Sequence, residues 1–152
     1  MQDTSADMTT VVIPAYNAAA TIDRTLATVR AQTHQALEII VVDDGSTDAT
    51  ADIVRRHLLD DARVRLIQQA NAGVAAARNA AIAAGQGAFI APIDADDLWH
   101  PRKIEKQLAA MHEGGPRVGL VYSGLALIDA DDRVLALRGG EVHTGDALRP
   151  LC

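Results

Sequence analysis

Glu38-Ile39-Ile40-Val41-Val42-Asp43-Asp44-Gly45-Ser46 decides the fold: four branched aliphatic side chains in a row, then an abrupt acidic turn. A strand with one wet face alternates apolar and polar residues. A strand covered on both faces reads as a continuous β-branched run and belongs to a parallel sheet. Segments built the same way lie on either side. Upstream, Thr10-Val11-Val12-Ile13 reads as a buried strand that Pro14 should close, since proline cannot serve a central ladder; Tyr16 and Asn17 form its exit loop. Thr21 is placed to cap a helix whose apolar residues Ile22, Leu26 and Val29 recur at i, i+4 and i+7. After the acidic turn, a second helix is expected from about Thr47 to Leu59, with Ile53, Val54 and Leu58 inward.

The pattern then repeats. Val64 to Ile67 reads as a third strand, and Gly73 to Ala84 as an alanine-rich helix ended by Gly85 as a C-terminal cap. Ala88 to Ile93 is a fourth strand, ending on Asp94-Ala95-Asp96-Asp97. Pro101 suits a first helical position and opens a helix through Met111, with Ile104, Leu108 and Met111 inward. Val118 to Tyr122, Leu125 to Ile128 and Val134 to Leu137 look like later strands, the last two flanking a hairpin turn at residues 129–133. This alternation predicts an α/β fold, a mostly parallel central sheet with helices on both faces. Right-handed crossovers put every strand-to-helix loop at the sheet's carboxyl edge, where open α/β sheets bind ligands.

Composition narrows the functional classes. The chain has 152 residues, of which 49% are hydrophobic and 22% charged, an ordinary globular balance. Aromatics amount to 3%, namely Tyr16, Phe89, Trp99 and Tyr122, so the core must be aliphatic and alanine-packed. The net charge of −6 argues against sequence-independent nucleic-acid binding. Cys152 stands alone, which excludes an internal disulfide or a multi-cysteine metal site and makes a reducing, cytoplasmic setting the default. Met1 to Thr10 lacks the order of a signal peptide, and no apolar run reaches the ~20 residues of a membrane span.

The acidic residues carry the chemistry. Asp43 with Asp44, and Asp94 with Asp96 and Asp97, follow different strands and should converge at one edge. Gathered carboxylates repel unless a cation or hydrogen bonds relieve them. All-oxygen ligation suits Mg²⁺ or Mn²⁺, which commonly keeps positions open for a diphosphate. Asp after a strand is also a turn former and helix cap. Asp129-Ala130-Asp131-Asp132 repeats the letters of Asp94-Ala95-Asp96-Asp97 but joins two strands and enters no helix, so it reads as a polar hairpin tip. Arg78, beside Asn79 in the alanine-rich helix, could reach a phosphate or pair with a carboxylate of a neighbouring loop. Tyr16 could stack on a base or roof the core, and Trp99 pack the domain edge or line a cleft. The chain has no Gly-x-Gly-x-x-Gly after the first strand, no P-loop, no Gly-x-Ser-x-Gly and no His-Glu-x-x-His; its five histidines have no ligand spacing. A receiver domain would place its acidic pair after the first strand instead. A nucleotidyltransferase would carry a glycine-rich basic loop there.

Four stretches together resemble the donor-binding half of family 2 glycosyltransferases with the GT-A, Rossmann-like fold. They are Val11-Val12-Ile13-Pro14-Ala15-Tyr16-Asn17; Val41-Val42-Asp43-Asp44-Gly45-Ser46-Thr47-Asp48; Asn71-Ala72-Gly73 through Ala77-Arg78-Asn79; and Ile93-Asp94-Ala95-Asp96-Asp97 with Pro101. The resemblance implies a nucleotide-sugar donor, a UDP-sugar first among them. Pro14, Ala15, Tyr16 and Asn17 would line the nucleoside, Asp44 would meet the uracil-type base edge, and Arg78 would lie near the nucleotide or its phosphates. Asp94-Ala95-Asp96 would be the Asp-x-Asp element, with Asp94 towards the ribose, Asp96 on Mg²⁺ or Mn²⁺, and Asp94 the second candidate for that metal. The implied activity is transfer to an acceptor hydroxyl with inversion.

That family uses an acidic general base and an acceptor surface in a C-terminal half. Asp129, Asp131, Asp132, Glu141 and Asp146 come too early for the base, which is expected beyond Cys152. The expected organisation is a disordered lead-in (residues 1–9), a nucleotide-sugar-binding domain (10–138) and a tail (139–152) leading to a missing acceptor region. No catalytic residue is therefore assigned, and sugar transfer by this chain alone should be negligible. A truncated domain would expose apolar surface and could self-associate; the full-length protein could work at the inner face of a membrane. The competing class is a non-catalytic module that binds a nucleotide or a partner chain through the same edge.

Overall fold

A computed structural model describes residues 7–138. The expected tail at 139–152, with Glu141 and Asp146, and most of the expected lead-in lie outside the described residues. The chain forms two compact units, Met1–Leu108 and Ala109–Cys152.

In the first unit, β1 (Thr9–Ala15), α1 (Ile22–Arg30), β2 (Leu37–Asp43), α2 (Thr50–Asp60), β3 (Val64–Gln68), α3 (Val74–Ala84) and β4 (Phe89–Pro92) alternate as the sequence predicts, and α4 (Lys103–Gly114) begins there and runs past Leu108. The strands form one parallel sheet in the order β3-β2-β1-β4. Every residue of β1 and β2 is buried, as their unbroken aliphatic runs require. Side-chain alternation sorts two cores. Val11, Ile13, Ile39 and Val41 pack with Ile22, Leu26 and Val29 of α1, Ile53 and Val54 of α2, and Ile104 and Leu108 of α4. Val12, Ile40 and Val42 face the other way, against Ala77 and Ala81 of α3. Two fully buried alanines let α3 approach the sheet closely, which larger side chains would prevent.

Several sequence expectations are corrected. Pro14 does not close β1; it lies inside it, in register with Val42. The carbonyl of Val12 accepts from Ile93 N, so even-numbered residues of β1 turn their backbone groups towards β4. Pairing with β4 stops at Val12↔Pro92, so Pro14 has no ladder bond to lose. Thr21 stands at the N-cap of α1 without a capping bond. Helix α2 starts at Thr50, where the Asp48 carboxylate accepts from Thr50 N (2.9 Å). Leu58 is exposed and His57 takes the buried position instead. Gly85 is extended rather than left-handed, and it is glycine because an added Cβ would come within 2.7 Å of the Thr10 side chain. Helix α4 begins at Lys103, two residues beyond Pro101.

In the second unit, residues 118–122 form no strand. β5 (Leu125–Ile128) and β6 (Val134–Arg138) make an antiparallel hairpin whose side chains are almost all exposed. Its tip is the second Asp-Ala-Asp-Asp copy. There the Asp129 carboxylate accepts from Asp131 N and Arg133 N, both at 2.9 Å, and Arg133 pairs with Asp131 at 2.8 Å.

Candidate functional site

Parallel register brings four loops to the carboxyl edge. The β1–α1 and β2–α2 loops are pinned to each other by side chains. Asn17, at φ 48°, accepts from Thr47 N through Oδ1 (2.9 Å), and its own N–H donates to Ser46 Oγ (2.9 Å). Ala18 N donates to Thr50 Oγ1 (2.8 Å) and Ala19 N to the Asp48 carboxylate (3.1 Å). A hydrogen bond from the Thr50 hydroxyl, first among its donors, holds the Asp48 carboxyl below its ordinary value. Tyr16 is 54% exposed, so it does not roof the core. Trp99 is buried in the first core, with the Lys103 ammonium 4.2 Å from its ring centroid.

The two adjacent aspartates at the end of β2, Asp43 inside it and Asp44 just beyond, point to opposite faces and do different work. Asp43 accepts from Ser46 N and Gln68 Nε2, both at 3.0 Å, which makes it a turn former. Asp44 lies on the α3 face, where its carboxylate accepts from Ala72 N (2.9 Å), Gly73 N (2.8 Å) and Gln69 Nε2 (2.7 Å). The Ala72 amide leads in holding its carboxyl below the ordinary value; burial opposes this, and Gln69 and Gly73 add to it. Gly45 is required beneath this loop, at φ +76°, because a Cβ there would lie 2.9 Å from Asn71 N.

After β4, Arg78 of α3 donates to Asp94 Oδ1 at 2.6 Å, and its Nε is buried without a partner among the described residues. Ala95 is buried in the first core, and its carbonyl accepts from Thr25 Oγ1 (2.9 Å), which anchors the loop. Asp96 is exposed and makes no hydrogen bond or ion pair among the described residues. Partial burial, then the charges of Asp96 and Asp94, hold the Asp97 carboxyl above its ordinary value. The loop thus presents clustered oxygen donors of which Arg78 neutralises only one. Among the described residues no three acidic, His or Cys side chains are arranged to hold an ion unaided. These oxygens are of the kind that suits a hard divalent cation, to which Asp96 would offer a carboxylate.

At this edge Ala15 packs into the first core, Asp44 is tied to the segment that enters α3, and Arg78 of α3 is tied to Asp94 after β4. The model of the family described as glycosyl transferase family 2 matches residues 10–124. The chain belongs to glycosyl transferase family 2. Among its relatives, a putative teichuronic acid biosynthesis glycosyltransferase of Bacillus subtilis is 41% identical, over 82% of this chain and 49% of its own length. The family 2 fold is equally evident in solved structures. Staphylococcus aureus TarS superposes with a TM-score of 0.64 at 28% identity, over 69% of this chain and 32% of that one. A mannosyltransferase of Pyrobaculum calidifontis, solved in complex with GDP-Man and Mn²⁺, gives 0.58 at 33% identity, over 64% and 30%. The chain spans less than half the length of the curated relatives it matches. No helix among the described residues is long and apolar enough to cross a membrane.

Sequence reasoning missed Gln69, Ser46 and Thr50 as members of the site. Gln69 was within reach, since it follows Gln68, the last residue of β3, which is in register with Asp43, the residue before Asp44. The Ser46 and Thr50 latches join loops about thirty residues apart, and only folding reveals such pairs.

Proposed function

We propose that this chain is the donor-binding half of an inverting glycosyltransferase acting on a nucleotide-sugar, with a UDP-sugar as the donor. One observation carries the reading: among the described residues Asp96 has no hydrogen-bond or ion-pair partner beside the Arg78–Asp94 ion pair, on the edge that also holds Tyr16 and Asp44. In this reading Tyr16 stacks on the base over the Pro14–Ala15 strand end, and the Asn17 turn holds that strand's exit. Asp44 accepts from the base edge, Asp94 meets the ribose, and Arg78 faces the diphosphate. Asp96 would hold Mg²⁺ or Mn²⁺, which supplies positive charge to the diphosphate as the bond between sugar and phosphate breaks. The solved complex of the mannosyltransferase relative with GDP-Man and Mn²⁺ supports a metal-assisted donor site.

Inversion requires the acceptor oxygen to attack the anomeric carbon opposite the departing phosphate, its proton passing to a carboxylate. None of the described carboxylates is assigned that role. Calorimetric titration of UDP with and without Mn²⁺ tests the proposal. Binding in the micromolar to millimolar range that depends on the metal is expected. Failure of both nucleotide and metal to bind would refute the donor-site reading and favour a partner-binding module.

A further inference from the structure

A carboxylate offers about four lone-pair positions to donors. At Asp44 three are taken from within the chain: Oδ1 accepts from Gln69 Nε2 (2.7 Å) and Ala72 N (2.9 Å), and Oδ2 accepts from Gly73 N (2.8 Å). A carboxylate anion only accepts, so the Gln69 amide must turn its nitrogen, not its oxygen, to Asp44. Among the described residues this leaves one acceptor position, on Oδ2. We infer that Gln69 is a specificity-determining residue of the donor site, filling Oδ1 so that Asp44 reads a single base N–H.

The consequence is a choice between bases. The imide edge of uracil presents one N–H between two carbonyls, and one acceptor satisfies it. Guanine presents two adjacent donors, N1–H and the N2 amine, which a carboxylate satisfies best with one lone pair on each oxygen. With Oδ1 full, the guanine amine would be buried without a partner, and an unmade hydrogen bond to a desolvated donor is costly. Adenine and the N3 position of cytosine present an acceptor where Asp44 needs a donor. Gln69 is half-buried after β3, its backbone N–H fixed to Asp43 O (3.0 Å), so its amide is positioned rather than free.

This inference rests on the donor-site reading above, and the test separates the two. UDP and GDP are each titrated with Mn²⁺ into the wild-type chain, Gln69→Leu and Gln68→Ala, with folding checked by far-ultraviolet circular dichroism. Gln68 serves as the control because its amide makes the equivalent bond to Asp43 on the opposite sheet face. Wild type should prefer UDP. In Gln69→Leu the Kd ratio of GDP to UDP should fall at least about tenfold, the worth of one hydrogen bond to a charged group. Gln68→Ala should leave the ratio unchanged. Equal losses for both nucleotides in Gln69→Leu would mean that Gln69 merely supports the loop, and would overturn the inference alone. Absence of nucleotide binding by wild type would instead overturn the donor-site reading.

Discussion

Ala81→Leu tests how α3 is held, and with it the placement of Arg78. Ala81 is fully buried against Val12, Ile40 and Val42, themselves fully buried strand residues. A leucine adds three carbons to an interface with no exposed surface to expand into. The helix must lift or the leucine must leave its rotamer, and such overpacking costs about 1–3 kcal/mol. In a chain of this length that lowers Tm by about 2–12 °C, well short of unfolding a domain with ~5–15 kcal/mol of stability. Ala83→Leu, on the exposed side of the same helix, should stay within about 0.5 kcal/mol of wild type. Urea denaturation and thermal melts of the pair measure the difference. Because Arg78 is three residues from Ala81, a shifted helix also strains the 2.6 Å pair with Asp94, so Ala81→Leu should weaken Mn²⁺-dependent UDP binding. Equal stabilities for the two variants would refute close alanine packing as the reason for this helix's composition.

Three further outcomes are expected. Asp96→Ala should remove the Mn²⁺ dependence of UDP binding, while Asp131→Ala at the hairpin tip leaves it intact; isothermal titration compares them, and equal losses would overturn the argument from placement. Burial pushes the Glu38 carboxyl up, but hydrogen bonds from Thr10, Gln86 N and Gly87 N and the Arg65 charge outweigh it, so its pKa lies below the usual 4.5. A lowered carboxylate stabilises the fold above its ordinary value and ceases to do so as pH falls through the folded value. Glu38→Gln should therefore flatten the acid limb of a stability-versus-pH curve, read by urea midpoints from pH 6 downward, and an unchanged limb would contradict it. Gly87→Ala places a Cβ 2.5 Å from Thr10 N, so strand backbone must move and the melting temperature should fall by several degrees, about 1–3 kcal/mol of overpacking.

The architecture was legible because it follows from local patterns. Unbroken β-branched runs at 11–13 and 39–42 mean two covered faces, and helix-period segments between them force parallel crossovers. The two Asp-Ala-Asp-Asp copies were separable for the same reason: one follows a buried strand, the other joins two strands. Element ends were less legible. Pro14 looked like a stop because a proline's cost depends on whether a neighbouring strand is present on its N–H side, and strand order sets that. Val118 to Tyr122 carries a strand-like composition, yet a strand also depends on a neighbouring strand in register, and the backbone takes no strand conformation there.

By itself, then, the sequence determined the parallel α/β layering, the carboxyl edge as the ligand edge, and the acidic turns that meet there. Each of these depends on periodicity, chain handedness or the identity of one residue. Only the tertiary structure decided what each carboxylate is free to do. Asp43 and Asp44 are chemically identical neighbours, yet one closes a turn with Ser46 while the other holds the entrance to α3. Asp94 and Asp96 differ as sharply, one paired with Arg78 and the other without a partner among the described residues. A carboxylate's availability is set by the donors around it, and those donors come from segments distant in the chain that only folding brings within hydrogen-bond reach.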